Sequence, residues 1–222
     1  MIQAVLFDLD GTLADTAPDM ALTVNTMRAR RGLEPVAESL VRPFVSQGAR
    51  GMICAAFAMT TGHPDYAAMR EEFLEIYAGN LCVRSQLFPG MDNVLEGLEA
   101  DGIAWGVVTN KFERFAKPLI DQLGLGERAG VVVGGDTCAR AKPFPDPLLH
   151  AAHSLRIPPG NALYVGDDQR DVQAARAAGM PVIVAGYGYL GDGPPAALWG
   201  ADAIIDSPAG ISEWLRNAQA SP

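Results

Sequence analysis

Short apolar runs separated by helical segments constrain this chain more than any other feature. The runs are Ala4 to Phe7, Ala104 to Val108, Val131 to Val133, Ala162 to Val165 and Val182 to Ala185, each bounded by Gly, Asp or Asn. Apolar runs of this length, without polar alternation, are what strands buried on both faces require. Between them Met91 to Ala100, Phe115 to Leu123, Pro147 to Leu155 and Val172 to Ala178 carry helical spacing. The alternation predicts an α/β fold: a Rossmann-like parallel sheet with helices on both faces, whose ligands bind beyond the carboxyl ends of the strands.

One stretch breaks the alternation. From Pro18 to about Cys82 the chain shows helical patterns at Met20 to Arg31, Ala49 to Met59 and Tyr66 to Leu81, with no convincing strand. The reading is a helical module spanning residues 17–83, inserted into a core formed by 1–16 and 84–222. Asp15 and Thr16 are good caps for its first helix, with Pro18 in the first turn. Phe88-Pro89-Gly90 marks re-entry into the core, and the Gly/Pro-rich stretch from Gly186 to Pro195 reads as a loop. A chain of 222 residues suits one domain carrying one such module.

Composition excludes several classes. Hydrophobic residues make up 49% and charged residues 19%, enough for a core and too apolar for disorder. A net charge of -9, with no Lys/Arg run, offers no basic face to nucleic acid. Three cysteines, Cys54, Cys82 and Cys138, include no Cys-x-x-Cys pair, so neither a disulfide framework nor a zinc ribbon is expected. The opening residues Met1 to Asp8 meet an acid too early for a signal peptide, and no apolar stretch is long enough to span a membrane. The expectation is a cytoplasmic monomer or homodimer.

Four motifs carry the chemistry. In Asp8-Leu9-Asp10-Gly11-Thr12-Leu13, side chains two apart at a strand end point the same way, and paired carboxylates invite a cation between them. Gly11 permits a sharp turn. Thr109-Asn110-Lys111, after a strand, supplies neutral donors suited to phosphate oxygens. Ala141-Lys142-Pro143-Phe144-Pro145 holds a lysine among prolines, able to neutralise charge on a phosphoryl group. Gly166-Asp167-Asp168-Gln169-Arg170-Asp171 ends a strand in acids that open a helix. Singly, each has a plainer explanation: an acidic turn, a polar loop, a surface lysine, or acids complementing a helix dipole. Together they lie at the ends of four expected strands, on one side of one sheet, and make a plausible Mg²⁺ and phosphate site.

In this order the motifs resemble the haloacid-dehalogenase superfamily of phosphohydrolases, and the resemblance covers nearly the whole chain, the insertion matching that family's helical cap. The resemblance implies Asp8 as nucleophile and Asp10 as general acid/base, with a backbone carbonyl of Asp10 offered to the metal. It implies Asp167 as a metal ligand beside Asp8, and Asp171 as a ligand or a support to one. Thr109 and Asn110 would bind the transferring phosphate, and Lys142 would bridge Asp8 and the phosphoryl oxygens. The cofactor expected is Mg²⁺ and the partner a small phosphorylated metabolite.

Thr109-Asn110-Lys111 and Gly166-Asp167 are similar to phosphoglycolate phosphatases within that superfamily. Asp15 to Asp19, Ser46 to Arg50, Trp105 to Lys111, Gly186 to Tyr189 and Trp199 to Asp202 resemble cell-wall recycling phosphatases acting on N-acetylmuramic acid 6-phosphate. Ser46, Gln47, Gly48 and Arg50 fall in the cap, where substrate choice is made in this family, and together with Lys111 of the Thr109-Asn110-Lys111 motif they are the expected substrate contacts. Arg50 suits a substrate carboxylate, which both candidate substrates carry. Asp168 and Phe112 depart from the commoner Ser and Pro. Other readings rank lower on particular residues. Gly186-Tyr187-Gly188-Tyr189-Leu190-Gly191 has dinucleotide-fingerprint spacing but no helix follows it. His150 and His153 lack a third metal ligand. A dehalogenase would lack Asp10, the sugar-phosphate mutase pattern has Glu before the last Asp where this chain has Gly166, and a non-catalytic relative would have lost Asp8 or Lys142.

Overall fold

The structure, a computed structural model, describes residues 1–220. Its main sheet contains β1 (Ala4–Phe7), β4 (Ala104–Val108), β5 (Val132–Val133), β6 (Ala162–Gly166), β7 (Val182–Ala185) and β8 (Ala203–Ile205). The strands are parallel and ordered β5-β4-β1-β6-β7-β8. Both faces are covered, which explains the unbroken apolar runs. Val5, Phe7, Trp105, Val107, Leu163 and Val165 face α5 (Met91–Ala100), α6 (Glu113–Gln122) and α9 (Ala209–Ala220). Ala4, Leu6, Val108, Tyr164, Val182 and Val184 face α7 (Asp146–Leu155) and α8 (Gln169–Ala178). Successive residues of β1 thus serve opposite layers, as the two-residue period demands.

The stretch from Ala17 to Ala78 is helical: α1 (Ala17–Ala29), α2 (Glu38–Val41), a 3-10 turn over Arg42–Gln47, α3 (Gly48–Phe57) and α4 (Tyr66–Ala78). Their apolar faces form a separate cluster around Met20, Val24, Met27, Met52, Ile53, Phe73 and Tyr77. The chain leaves and re-enters the sheet side by side, because β2 (Ala14–Asp15) pairs antiparallel with β3 (Gln86–Leu87). This two-stranded crossing, and the exposed edge strand β8, are not among the expected elements. Two-residue strands have no period to detect, and β8 follows a loop rich in Gly and Pro.

Two local expectations need correction. Thr16 sits at the N-cap of α1 but makes no capping bond, because its hydroxyl donates instead to Asp10. Lys142 is not at a strand end: it lies in the loop between β5 and α7.

Candidate active site

The chain runs from β1 to β4 and β5 on one side, then crosses back to β6 on the other. This reversal opens a crevice over the carboxyl ends of β4, β1 and β6. Asp8 follows β1 directly and is buried. Its Oδ1 accepts the Leu9 N–H at 2.7 Å and lies 3.0 Å from Lys142 Nζ. Asp167 follows β6 and is fully buried. It accepts the Tyr189 N–H at 2.8 Å, and Thr12 and Ser46 hydroxyls approach it at 3.4 Å each.

Asp171 illustrates two roles in one carboxylate. Its Oδ2 accepts the Asp168 N–H at 3.1 Å, completing a capping box at the start of α8 with the Asp168 carboxylate, which accepts the Arg170 N–H. Its Oδ1 faces Lys142 Nζ at 2.7 Å. The plain helix-capping explanation of the acids is therefore correct for Asp168 and true in part for Asp171.

Lys142 binds between the carboxylates. Besides Asp8 and Asp171, its ammonium donates to the Val108 carbonyl at 2.9 Å and Tyr164 Oη at 2.8 Å. Burial opposes its charge, but Asp171 and Asp8 outweigh that and raise its pKa. The Asn110 amide clamps the main chain of the same residue, donating to the Lys142 carbonyl at 2.9 Å and accepting its N–H at 3.0 Å. The Asn110 side-chain amide is thus occupied in holding Lys142, a contact the sequence does not announce. Thr109 is buried with its hydroxyl accepting the Lys111 N–H at 3.1 Å, leaving the hydroxyl proton for an acceptor in the crevice.

Asp8, Asp167 and Asp171 bring one oxygen each within 4.8 Å of one another, all buried. Desolvation first, then Asp171 and Asp10, push Asp8 up to about 6 despite Lys142. Desolvation, Asp8 and Asp171 hold Asp167 well above the usual carboxylate range. Such a crowded, all-oxygen donor set fits a small hard cation. The Asp10 carboxylate is not part of this group. It pairs with Lys111 Nζ at 2.9 Å and accepts the Thr16 hydroxyl at 2.5 Å.

Asp8, Asp10, Thr109, Asn110, Lys111, Lys142 and Asp171 open onto one cavity of about 260 Å³, walled on the far side by Ser46, Gln47, Gly48 and Arg50. The expected cap residues therefore share one space with the carboxylates. Sequence reasoning missed further walls: Phe73, Tyr77 and Arg70 on α4, Phe112 and Phe115 at α6, and Arg170. Lys111 sits 4.8 Å from the centre of the Tyr77 ring, and its pKa is raised because Asp10 and Tyr77 overcome its burial. The Arg170 guanidinium is fixed by both oxygens of Asp168 at 2.8 Å and donates to the Ser46 carbonyl at 2.7 Å, tying α8 to the helical insertion. An amphipathic pattern shows that α4 buries one face. It does not show which of its residues meets a site built elsewhere in the chain.

The family model described as haloacid dehalogenase-like hydrolase matches residues 5–185, spanning all of these side chains. This chain belongs to that family. Across 217 residues it is 44% identical to the N-acetylmuramic acid 6-phosphate phosphatase of Pseudomonas aeruginosa, covering 98% of this chain and 96% of that one. It is 47% identical to a phosphoglycolate phosphatase of Xanthomonas campestris pv. campestris, covering 95% of each. The crystal structure of a predicted phosphoglycolate phosphatase from Haemophilus somnus superposes with a TM-score of 0.82 at 31% identity, over 96% of this chain and 98% of that one. The α/β core with helices on both faces is therefore the family's architecture. Among the described residues no helix is long and apolar enough to cross a membrane.

Proposed function

We propose that this hydrolase is a Mg²⁺-dependent phosphomonoesterase in which Asp8 takes the phosphoryl group and passes it to water. The observation that carries the reading is Lys142 Nζ lying 3.0 Å from Asp8 and 2.7 Å from Asp171, beside a third buried carboxylate. Asp8, Asp167 and Asp171 would hold the metal, with the Asp10 carbonyl as a further ligand. Bound Mg²⁺ would supply positive charge against the anionic phosphate.

The side chains have separable tasks. Asp8 attacks phosphorus to form a phosphoaspartate. Lys142, already desolvated and aimed by Asn110, neutralises charge that builds on the phosphoryl oxygens. The Thr109 hydroxyl donates to one of those oxygens. Asp10, held by Lys111 and Thr16 on the same cavity wall, protonates the leaving oxygen and then activates water. Residues 17–83 act as the cap that selects the leaving group, through Ser46, Gln47, Gly48 and Arg50 with Lys111 opposite.

The substrate reading is a bulky phosphomonoester bearing a carboxylate, with N-acetylmuramic acid 6-phosphate as the choice. A cavity of about 260 Å³ with a wall of Phe73, Tyr77, Phe112 and Phe115 offers far more apolar surface than glycolate can use. The identity to the Pseudomonas enzyme over nearly the full chain supports the same choice. Phosphoglycolate is the second reading, favoured by the Xanthomonas relative. Phosphate release from the two compounds, side by side with Mg²⁺ at matched concentration, separates them. A large preference for the muramic compound is expected; a large preference for phosphoglycolate refutes the choice. Arg50→Ala is expected to raise KM about tenfold for the carboxylate-bearing substrate and leave that for p-nitrophenyl phosphate within about twofold. An unchanged KM for both removes Arg50 from recognition.

A further inference from the structure

The loop after β7, from Gly186 to Gly191, has no task in the chemistry above. Tyr189 within it is buried and joins two distant parts of the molecule. Its phenol oxygen accepts the backbone N–H of Thr16 at 2.8 Å and of Ala17 at 2.9 Å, and donates to Asp15 at 2.9 Å. These residues form the crossing from the sheet into α1, where the N-cap side chain of Thr16 is turned away to Asp10. The phenol of Tyr189 thus performs the capping that Thr16 does not. The main-chain N–H of the same residue donates to Asp167. From the helical insertion, Arg42 lies 5.1 Å above the Tyr189 ring centre and pairs with Asp15 at 2.8 Å.

The packing leaves no slack between these points. A Cβ at Gly11 would collide with the Asp167 carboxylate and the Tyr189 ring, and one at Gly188 would collide with Asp167 and the Gly11 carbonyl. Glycines at both positions let the loop press directly on the turn after β1. Of the glycines in the Gly-x-Gly-x-x-Gly stretch, which mimics a dinucleotide fingerprint, this contact accounts for Gly188; Gly186 packs instead against the Ile205 carbonyl, and Gly191 has a φ of 69°.

We infer that Tyr189 is a positioning residue that couples the crossing into the helical insertion to the Asp167 carboxylate, so that the phenol anchor fixes the N–H that orients a metal ligand. The inference rests on the metal-binding reading of Asp8, Asp167 and Asp171, and its test needs no phosphatase activity.

The test is Tyr189→Phe in the full chain, with Tyr187→Phe as control; the Tyr187 hydroxyl donates to the Thr12 carbonyl and leaves the crossing alone. Hydrogen exchange reads the amides of Thr16 and Ala17, and calorimetry reads Mg²⁺ affinity. In Y189F these two amides are expected to exchange about tenfold faster. The Mg²⁺ dissociation constant is expected to rise about tenfold, the usual scale for losing support behind a metal ligand, although the Asp167 N–H contact is chemically intact. In Y187F both stay within about twofold. Faster exchange with unchanged Mg²⁺ affinity overturns the coupling and leaves Tyr189 as a helix cap only. Unchanged exchange overturns the anchor, and a wild-type chain that binds no Mg²⁺ overturns the whole inference. A protein that binds Mg²⁺ as described yet releases no phosphate from any ester would sink the proposed function instead.

Discussion

Lys142→Met tests whether the buried charge cluster is held together as the contacts indicate. Lys142 is only 4% exposed and serves two carboxylates, so its removal leaves Asp8 and Asp171 crowded without a cation. Met fills the aliphatic stem, which isolates the charge from a cavity effect. Removing one partner from a buried ionic group costs about 3–5 kcal/mol. At about 2–4 °C per kcal/mol for a chain of this size, the melting temperature should fall by roughly 10 °C. The loss must also depend on pH. A carboxylate whose pKa is raised by folding destabilises the native state when ionised, so the deficit is full above its native pKa. It vanishes below the unfolded value of about 4. Asp8 already stands at about 6 with Lys142 present, and losing Lys142 moves it higher. Urea unfolding in EDTA, followed by circular dichroism, should therefore show a large deficit at pH 7.5 that shrinks on lowering the pH toward 5. A K142M protein as stable as wild type at pH 7.5, or a large deficit independent of pH, refutes the charge argument.

Other predictions follow from single contacts. Asn110→Ala removes both bonds to the Lys142 main chain, and is expected to lower kcat by about tenfold to a hundredfold with KM within about threefold, since it misplaces a group acting on the transition state; a raised KM with normal kcat would instead mean that Asn110 binds substrate. Mg²⁺ affinity, measured calorimetrically, should fall several-fold between pH 7.5 and 5.5. Asp8 at about 6 and the raised Asp167 must lose protons for the metal to bind, with the release measurable in buffers of different ionisation heat. A pH-independent affinity would place the metal elsewhere. EDTA should abolish turnover and Mg²⁺ restore it, as steady-state assays can read directly.

The fold was legible because the core strands are buried on both sides and therefore continuous in sequence. Val5 and Phe7 serve one layer and Ala4 and Leu6 the other, so the run has no polar interruption. The short pair β2 and β3 was invisible, since two residues on each strand carry no pattern. The candidate site was legible wherever a strand ends in an acid, as at Asp8 and Asp167. Asp171 could be assigned only as a ligand or a support, because its two oxygens face different partners. The bond from the Asn110 side chain to Lys142 is not legible, because a strand-end amide looks the same whether it faces a ligand or the main chain 32 residues away. Tyr77, Arg70 and Phe73 were missed because helix periodicity says nothing about which distant loop a face will meet. The spacing of Gly186, Gly188 and Gly191 is plain in the sequence, yet the reason for Gly188 is a close approach to Asp167 and Gly11 that only the tertiary structure brings about.

The central claim is that Asp8 carries the phosphoryl group. The most direct measurement is acid quenching of the enzyme during turnover of N-acetylmuramic acid 6-phosphate with Mg²⁺, followed by peptide mass spectrometry. The account predicts one phosphoryl group on the peptide containing Asp8, and neither that adduct nor phosphate release in Asp8→Asn. Turnover by Asp8→Asn, or rapid release by the wild type with the phosphoryl group trapped on another residue, would contradict it.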